Sequence, residues 1–146
     1  MNGIPFTFPL LRTQILRVVT RVEILKLLCG AIKKIQKAAF YNTETETTTI
    51  VEDYGESMGM YVTDDGIAFI GIGTLGISSG KVYDLNTGTD LGSTQEWVYD
   101  NYGIVIPAGY INHVSADGRF VLGTKAESSA MGVSFINWYI APPLAK

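Results

Sequence analysis

The pattern of apolar and polar positions changes near Tyr41. Before it, apolar residues recur at alternating spacings of four and three, the spacing of a helical seam with two positions per heptad. After it, short runs rich in β-branched and aromatic residues are separated by turn residues, which is typical of antiparallel strands. The sequence therefore predicts a helical N-terminal segment and a β-rich remainder. The predicted seam consists of Leu11, Ile15, Val18, Val22, Leu25, Cys29 and Ile32.

The N-terminal segment divides into an arm and a helix. Residues 1–9 contain Pro5, which disfavours helix, so they predict an extended arm whose Phe6 and Phe8 dock onto a neighbouring surface. Residues 10–40 predict the helix. Apolar residues also lie off its seam, and a two-stranded coil would leave them in water, so a trimer or a larger bundle is favoured.

The remainder of the chain is predicted to be β. Residues 41–47 are polar and rich in Thr, which predicts a linker. Residues 48–146 predict a head domain of the antiparallel β-sandwich or jelly-roll type. Asp65-Gly66 and Asp117-Gly118 predict hairpin turns. The predicted strands are Thr48–Tyr54, Gly59–Thr63, Ile67–Gly73, Lys81–Leu85, Glu96–Tyr99, Ile104–Ile106, Arg119–Thr124 and Gly132–Ile140.

Charge is distributed unevenly. The first 40 residues carry seven Lys or Arg and one Asp or Glu, and the rest carry four and thirteen. Charged residues make up only 17% of the chain, which predicts apolar surface covered by other subunits. The cations fall on several sides of the predicted helix, so binding flat on a membrane is the less favoured use. Specific nucleic-acid binding is not expected.

Two targeting signals are not expected. The longest apolar run of the N-terminal segment, Leu27–Ile32, is far shorter than the ~20 residues of a membrane span. Arg12 and Arg17 would interrupt the apolar region of a signal peptide. The sequence therefore predicts neither a transmembrane span nor a signal peptide.

Candidate chemistry is sparse. Gly71–Gly76 matches G-x-G-x-x-G, but no helix is predicted to open after it, as dinucleotide binding requires. Asp84–Asp90 spaces oxygens as calcium loops do but departs from the EF-hand pattern. His113 and Cys29 are the only residues of their types, and no local frame places a nucleophile. No enzymatic activity, cofactor or metal is predicted.

The aromatic residues offer the best candidate binding surface. Strand alternation over Glu96–Tyr99 places Trp97 and Tyr99 on one face, with Tyr102 nearby. Burial in the core or between subunits is the favoured role of such residues, and a glycan-binding or partner-binding face is the alternative. In the last strand, Phe135 and Tyr139 are predicted to share a face.

Together, an arm, an apolar helix, a polar joint and a β head resemble the layout of short head or tail fibre, decoration and connector proteins of bacteriophage virions. The resemblance covers the whole chain as an architecture and carries no functional residue. It implies a non-enzymatic structural protein of the virion, assembled in the host cytoplasm. Its partners would be itself, with a trimer favoured, and other structural proteins. Two alternatives remain: a membrane-associated protein that uses the N-terminal helix, and a small carbohydrate-binding module.

Overall fold

The computed structural model describes residues 16–28, 31–73 and 79–142. This part of the chain is mainly β, with antiparallel sheets and a single helix in mid-chain. The elements are β1 (Leu16–Leu28), β2 (Ala31–Asn42), β3 (Thr47–Ile50), β4 (Ser57–Val62), β5 (Ile67–Ile72), β6 (Ser79–Asp84), β7 (Thr89–Ser93), α1 (Thr94–Tyr102), β8 (Tyr110–Val114), β9 (Val121–Ser129) and β10 (Gly132–Ile140).

The strands form three sheets, each a meander of strands that are consecutive in the chain. The first sheet has the order β1-β2-β3, the second β4-β5-β6-β7 and the third β8-β9-β10. Because each strand pairs with the strand before or after it in sequence, short turns suffice as connections.

The second sheet lies between the other two, and each of its faces is buried in a different core. Ala68 and Ile70 of β5 pack with Phe40 of the first sheet. Phe69, between them in sequence, packs with Ile111 of the third sheet. Successive side chains of a strand point to opposite faces, so an almost wholly apolar β5 can serve two cores. The first core contains Ala38, Phe40, Val51, Val62, Ala68, Ile70 and Tyr83, and the second contains Phe69, Val82, Val98, Ile106, Ile111, Val114, Val121 and Ile140.

The N-terminal helix predicted over residues 10–40 is wrong where the structure describes this range. Residues 16–28 and 31–42 form β1 and β2, paired from Leu16↔Asn42 to Leu28↔Ala31. β-branched residues favour a pleated strand over a helix, and β1 is rich in them. Gly30, which would cost about 1 kcal/mol inside a helix, separates the two strands in sequence. The coiled-coil and membrane interpretations both depended on that helix. The β-branched residues of β1 are Val18, Val19, Thr20, Val22 and Ile24.

The helix is instead α1, where the sequence pattern predicted a strand over Glu96–Tyr99. Ser93 is its N-cap: the Glu96 N–H donates to Ser93 Oγ at 3.2 Å, and the Ser93 N–H donates to Glu96 Oε2 at 2.7 Å. This reciprocal capping box starts the helix. Gly103, with φ of 66°, ends it in a left-handed conformation. Local capping therefore overrides the alternation of apolar residues.

Other predictions have mixed outcomes. Both Asp-Gly hairpin turns are confirmed, with Gly66 at φ 92° and Gly118 at φ 71°. The last strand, Gly132–Ile140, is also confirmed. The strand predicted at Ile104–Ile106 is wrong, because this segment is irregular. The Thr-rich residues predicted as a linker lie at the end of β2, in a turn over 43–46 and at the start of β3.

Candidate functional site

Two surfaces stand out, and the first is a cleft between hairpin turns. It measures about 950 Å³ and lies between the β4–β5 turn, the β8–β9 turn and the last residues of α1. We call it the turn cleft. Its lining residues are Tyr61, Thr63, Asp64, Asp65, Ile67, Trp97, Asn101, Tyr102, His113, Val114, Ser115, Ala116 and Gly118.

Helix α1 brings two of the predicted binding residues, Trp97 and Tyr102, into the turn cleft. Their rings are in edge contact, with centroids 5.8 Å apart. Trp97 also packs edge-on against Phe69 of the second core, at 5.0 Å. The Tyr102 hydroxyl donates to the Gly118 carbonyl at 2.7 Å. These contacts fix both rings, so they form a rigid wall of the cleft.

Tyr61 and His113 line another part of the turn cleft. Their ring centroids are 4.7 Å apart, and the Tyr61 hydroxyl donates to the Val114 carbonyl at 3.1 Å, which joins the second sheet to the third. Burial, reinforced by Asp64, raises the pKa of Tyr61. Burial and Asp117 likewise raise the pKa of Tyr102. Both phenols are therefore neutral at physiological pH.

The lining of the turn cleft defines which ligands suit it. Among the described residues that line it are Asp64 and Asp65 but no Lys or Arg. Anions are disfavoured at such a site by charge repulsion. Aromatic rings beside carboxylate and amide groups suit a neutral polyhydroxylated ligand or an organic cation.

Tyr99 does not join this surface. It is 58% exposed and lines a separate depression of about 600 Å³ with Glu96 and Val105. A helix turns by about 100° per residue, so positions two apart face different directions. The prediction that Trp97 and Tyr99 share a face is therefore wrong.

Polar groups between the first two sheets have structural roles. Lys37 is only 2% exposed, and its Nζ donates to the Glu52 carbonyl at 3.1 Å and to the Tyr54 carbonyl. A hydrogen bond to Asp53, together with burial, raises the pKa of Tyr83. Lys81 and Asp90 form an ion pair at 3.5 Å. These contacts satisfy the Lys37 ammonium, the Tyr83 hydroxyl and the Lys81 ammonium beside the first core.

The second surface is one face of the third sheet, which we call the open face. Register and strand alternation place Leu122, Val133, Phe135 and Tyr139 on this side, with the polar pair Thr124 and Asn137 between them. His113 lies at its edge, where its ring also contacts Tyr61 of the turn cleft. The side chains of Leu122, Phe135 and Tyr139 are 44%, 57% and 78% exposed. Exposed apolar residues grouped on one face in this way mark an interaction surface. The prediction that Phe135 and Tyr139 share a face is confirmed.

A hydrogen-bonded chain of side chains on the open face itself holds the three strands together. Asn112 Nδ2 donates to Thr124 Oγ1 at 2.6 Å, and Thr124 Oγ1 donates to Asn137 Oδ1 at 2.9 Å. Thr124 is 5% exposed. One residue from each strand of the third sheet thus takes part, so these contacts fix the register of the sheet.

The second and third sheets repeat the same local geometry. Each begins with a bulged strand, irregular between Gly59 and Tyr61 in β4 and between Ile111 and His113 in β8. Each bulged strand leads into an Asp-Gly turn held by a hydroxyl residue, Thr63 or Ser115. The Thr63 hydroxyl accepts a hydrogen bond from the Ile67 N–H at 3.0 Å, and the Ser115 hydroxyl accepts one from the Phe120 N–H at 2.9 Å, on the far side of each turn.

The equivalence extends to the faces that contact the preceding sheet. In each sheet, one residue from each of the first three strands lies in a row across that face, and all six side chains are buried. The second sheet packs this row into the first core, and the third sheet packs its row into the second core. The rows are Val62, Ala68 and Tyr83, and Val114, Val121 and Ile140.

The opposite faces carry the adjacent rows, and here the two sheets differ. Tyr61, Phe69 and Val82 form the row of the second sheet. Helix α1 and the third sheet cover it together, so that Phe69 and Val82 are 0% exposed. The matching row of the third sheet is His113, Leu122 and Tyr139, and it is exposed. The open face is thus the counterpart of a face that elsewhere in this chain is covered by helix α1 and a sheet.

The contact residues predicted in the N-terminal segment fall into two groups. Val18, Val22 and Leu25 lie in β1 and Ile32 lies in β2, so they are strand residues and not a helical seam. The others lie outside the described residues: Phe6, Phe8, Leu11, Ile15 and Cys29.

Neither membrane-spanning helices nor metal-ligand clusters are found among the described residues. In residues 16–28, 31–73 and 79–142, no helix combines the length and apolar character that crossing a bilayer requires. The same ranges contain no grouping of three or more His, Cys, Asp or Glu side chains arranged to hold a metal ion. Comparison of the chain with protein-family models, curated proteins and solved structures finds no match.

Proposed function

We propose that this chain is a non-enzymatic assembly protein that binds another protein through its open face. The observation that carries the proposal is the contrast between two equivalent rows of side chains. Phe69 and Val82 are fully buried by helix α1 and the third sheet, whereas Leu122 and Tyr139 are 44% and 78% exposed. A face built like a covered one but left in water is a docking surface.

The chemistry of the open face suits protein partners. Removing apolar surface from water contributes about 25 cal/mol per Å², so covering the rest of one half-exposed Leu or Phe contributes on the order of 1 kcal/mol. Aromatic residues such as Phe135 and Tyr139 are enriched in interface centres. The trimeric state and the virion location expected from the sequence stay predictions.

Site-specific photo-crosslinking tests this proposal. A benzophenone amino acid replaces Tyr139 on the open face or, as a matched control, Ile136 on the same strand. Ile136 is 47% exposed but faces the other way. In irradiated cells that produce the chain, we expect a discrete protein adduct from position 139 and none from position 136. No adduct from position 139, or equal adducts from both, would contradict the proposal.

A second candidate function is carbohydrate binding in the turn cleft. It is supported by the convergence of Trp97, Tyr102 and Tyr61 with Asp64 and Asp65 in one lining. Aromatic walls with a few polar groups are typical of small-ligand sites.

The carbohydrate alternative is tested on a glycan array with the wild-type chain and Asn101→Ala. Asn101 lines the cleft and is exposed, so this change should leave the fold intact. Signals that fall in the variant while its melting temperature is unchanged would support the alternative. Absence of any glycan signal from the wild type would eliminate it.

A further inference from the structure

We infer that the partner of the open face is a second copy of this chain, packed open face against open face about a two-fold axis. The inference rests on the proposed function and names its partner.

Continuity with an interface already present in the chain supports a second copy of this fold as the occupant. The row Tyr61, Phe69 and Val82 is covered in the second core by the third sheet together with helix α1. The open face presents the matching row at the same distance from an equivalent bulge and turn. Stacked units of this kind bury their faces against neighbouring units.

The available faces determine which surface the second copy uses. Both faces of the second sheet are covered within the chain, in the first and second cores, and the third sheet turns Val121 and Ile140 into the second core. Among the described residues, this inward side of the third sheet leaves Ile136 47% exposed, whereas the open face exposes Leu122, Val133, Phe135 and Tyr139 together. Two copies that meet through these sheets therefore use the same face on both sides, which gives a two-fold symmetric contact.

Charge permits this self-association. None of the side chains that share the side of Leu122 in β9 and β10 is charged. They are Thr124, Ala126 and Ser128 in β9 and Val133, Phe135, Asn137 and Tyr139 in β10. The charged residues of β9, Lys125 and Glu127, alternate to the other face and pair with each other at 2.5 Å. Apposing two copies thus brings no like charges of these strands together, a repulsion that would otherwise cost several kcal/mol.

The size of the open face sets the expected affinity. β10 has nine residues, which at about 3.4 Å each span roughly 30 Å, and three strands about 4.8 Å apart span roughly 14 Å. The footprint is therefore on the order of 400 Å² per copy, below the ~800 Å² per partner of a stable interface. We expect a reversible dimer with a dissociation constant in the micromolar range.

Sedimentation velocity of the full chain, from about 1 to 200 µM, tests the inference with charge variants. One variant carries Leu122→Glu and Phe135→Glu, and a second carries Leu122→Lys and Phe135→Lys. We expect the wild type to shift from monomer to dimer with concentration, and each variant alone to remain monomeric. An equimolar mixture of the two variants should form dimers again, because opposite charges then meet across the two-fold axis. Ile136→Glu, on the same sheet but the other face, should dimerise like the wild type.

Three results would overturn the inference. A wild type that stays monomeric throughout, species that grow beyond the dimer with concentration, or a mixture of variants that stays monomeric would each contradict two-fold pairing. Restored dimers in the mixture also show that both variants are folded. If the wild type is monomeric while position 139 crosslinks to a protein of different mass, the proposed function stands and only the choice of partner fails.

Discussion

Replacing Gly80 by Ala tests how closely the second and third sheets approach each other. Gly80 lies in β6, and a Cβ added there would be 2.2 Å from the Gly109 carbonyl oxygen and 2.1 Å from Thr94 Oγ1. Thr94 is a side chain, but the Gly109 oxygen belongs to the backbone leading into β8. The contact is relieved only if the two sheets move apart.

The magnitude follows from the size of that movement. A carbon and an oxygen in ordinary contact are more than 3 Å apart, so the backbone must yield by roughly 1 Å. A gap of 0.5–1 Å already removes about a quarter to a half of the dispersion attraction between the atoms that line it. Overpacking of a core typically costs about 1–3 kcal/mol. We expect the free energy of unfolding to fall by about 3 kcal/mol, a large part of the ~5–15 kcal/mol of a typical domain.

Urea unfolding followed by circular dichroism measures this change, and Gly55→Ala is the matched control. A Cβ at Gly55 meets no atom within 4 Å, and its φ lies outside the positive range. That variant should unfold within about 0.5 kcal/mol of the wild type, or be slightly more stable because its unfolded chain has fewer conformations. If Gly80→Ala and Gly55→Ala unfold at the same urea concentration with equal slopes, the close approach of the sheets is not what stabilises the second core.

Three further changes test the helix cap, the third sheet and an acidic turn. Ser93→Ala removes the N-cap of α1 and should lower the free energy of unfolding, measured in urea titrations, by about 1 kcal/mol. Ser128→Ala, at an exposed position of β9, is the control and should have no effect. Thr124→Val keeps the side-chain shape but leaves the Asn112 amide without its partner, so we expect a loss of about 1–3 kcal/mol; a thermal melt identical to the wild type would contradict this. The hydroxyl of Ser115 and backbone N–H groups lower the pKa of Asp117, so its contribution to stability is present above the unfolded value of ~3.9 and is lost as pH falls through the lower folded value. Asp117→Asn should therefore flatten the dependence of stability on pH between about pH 5 and 2, and an unchanged acid profile would count against this role.

Local turn chemistry was the most predictable part of the fold. Asp65-Gly66 and Asp117-Gly118 form hairpin turns because a positive φ at the glycine is required there and the flanking residues alternate. The strand prediction over Glu96–Tyr99 followed alternation and did not take into account the S-x-x-E pattern of Ser93 and Glu96. Alternation over four residues fits a strand and also a short helix packed on one side.

The N-terminal prediction failed because two periodicities fit the same residues. Apolar side chains occupy so many positions of β1 that both the heptad spacing and a strand pattern are satisfied. Residue type separates the two, since Val and Thr lose side-chain freedom in a helix. Pairing with β2 then makes β1 a strand. Such pairing depends on residues outside β1, so the spacing of apolar residues within β1 does not predict it.

The open face was only half predictable. Alternation placed Phe135 and Tyr139 together, but their exposure depends on which sheets stack and in what order. The repeat of the second and third sheets is concealed in the sequence. The turn from Ser115 to Phe120 is one residue longer than the turn from Thr63 to Ile67. The sequences of the two sheets therefore align only with a one-residue gap in this turn.

The linear order of the three sheets has a consequence for local unfolding. The third sheet is held on one face only, by the second core, whereas the second sheet is held on both. In a stack where each unit contacts only its neighbours, the end unit opens at a lower free energy than the unit between two others. Amide hydrogens of β9 and β10 should therefore exchange with solvent before those of β5. Because an occupant of the open face would turn the end unit into an internal one, binding should slow exchange in β9 and β10 far more than anywhere in the second sheet.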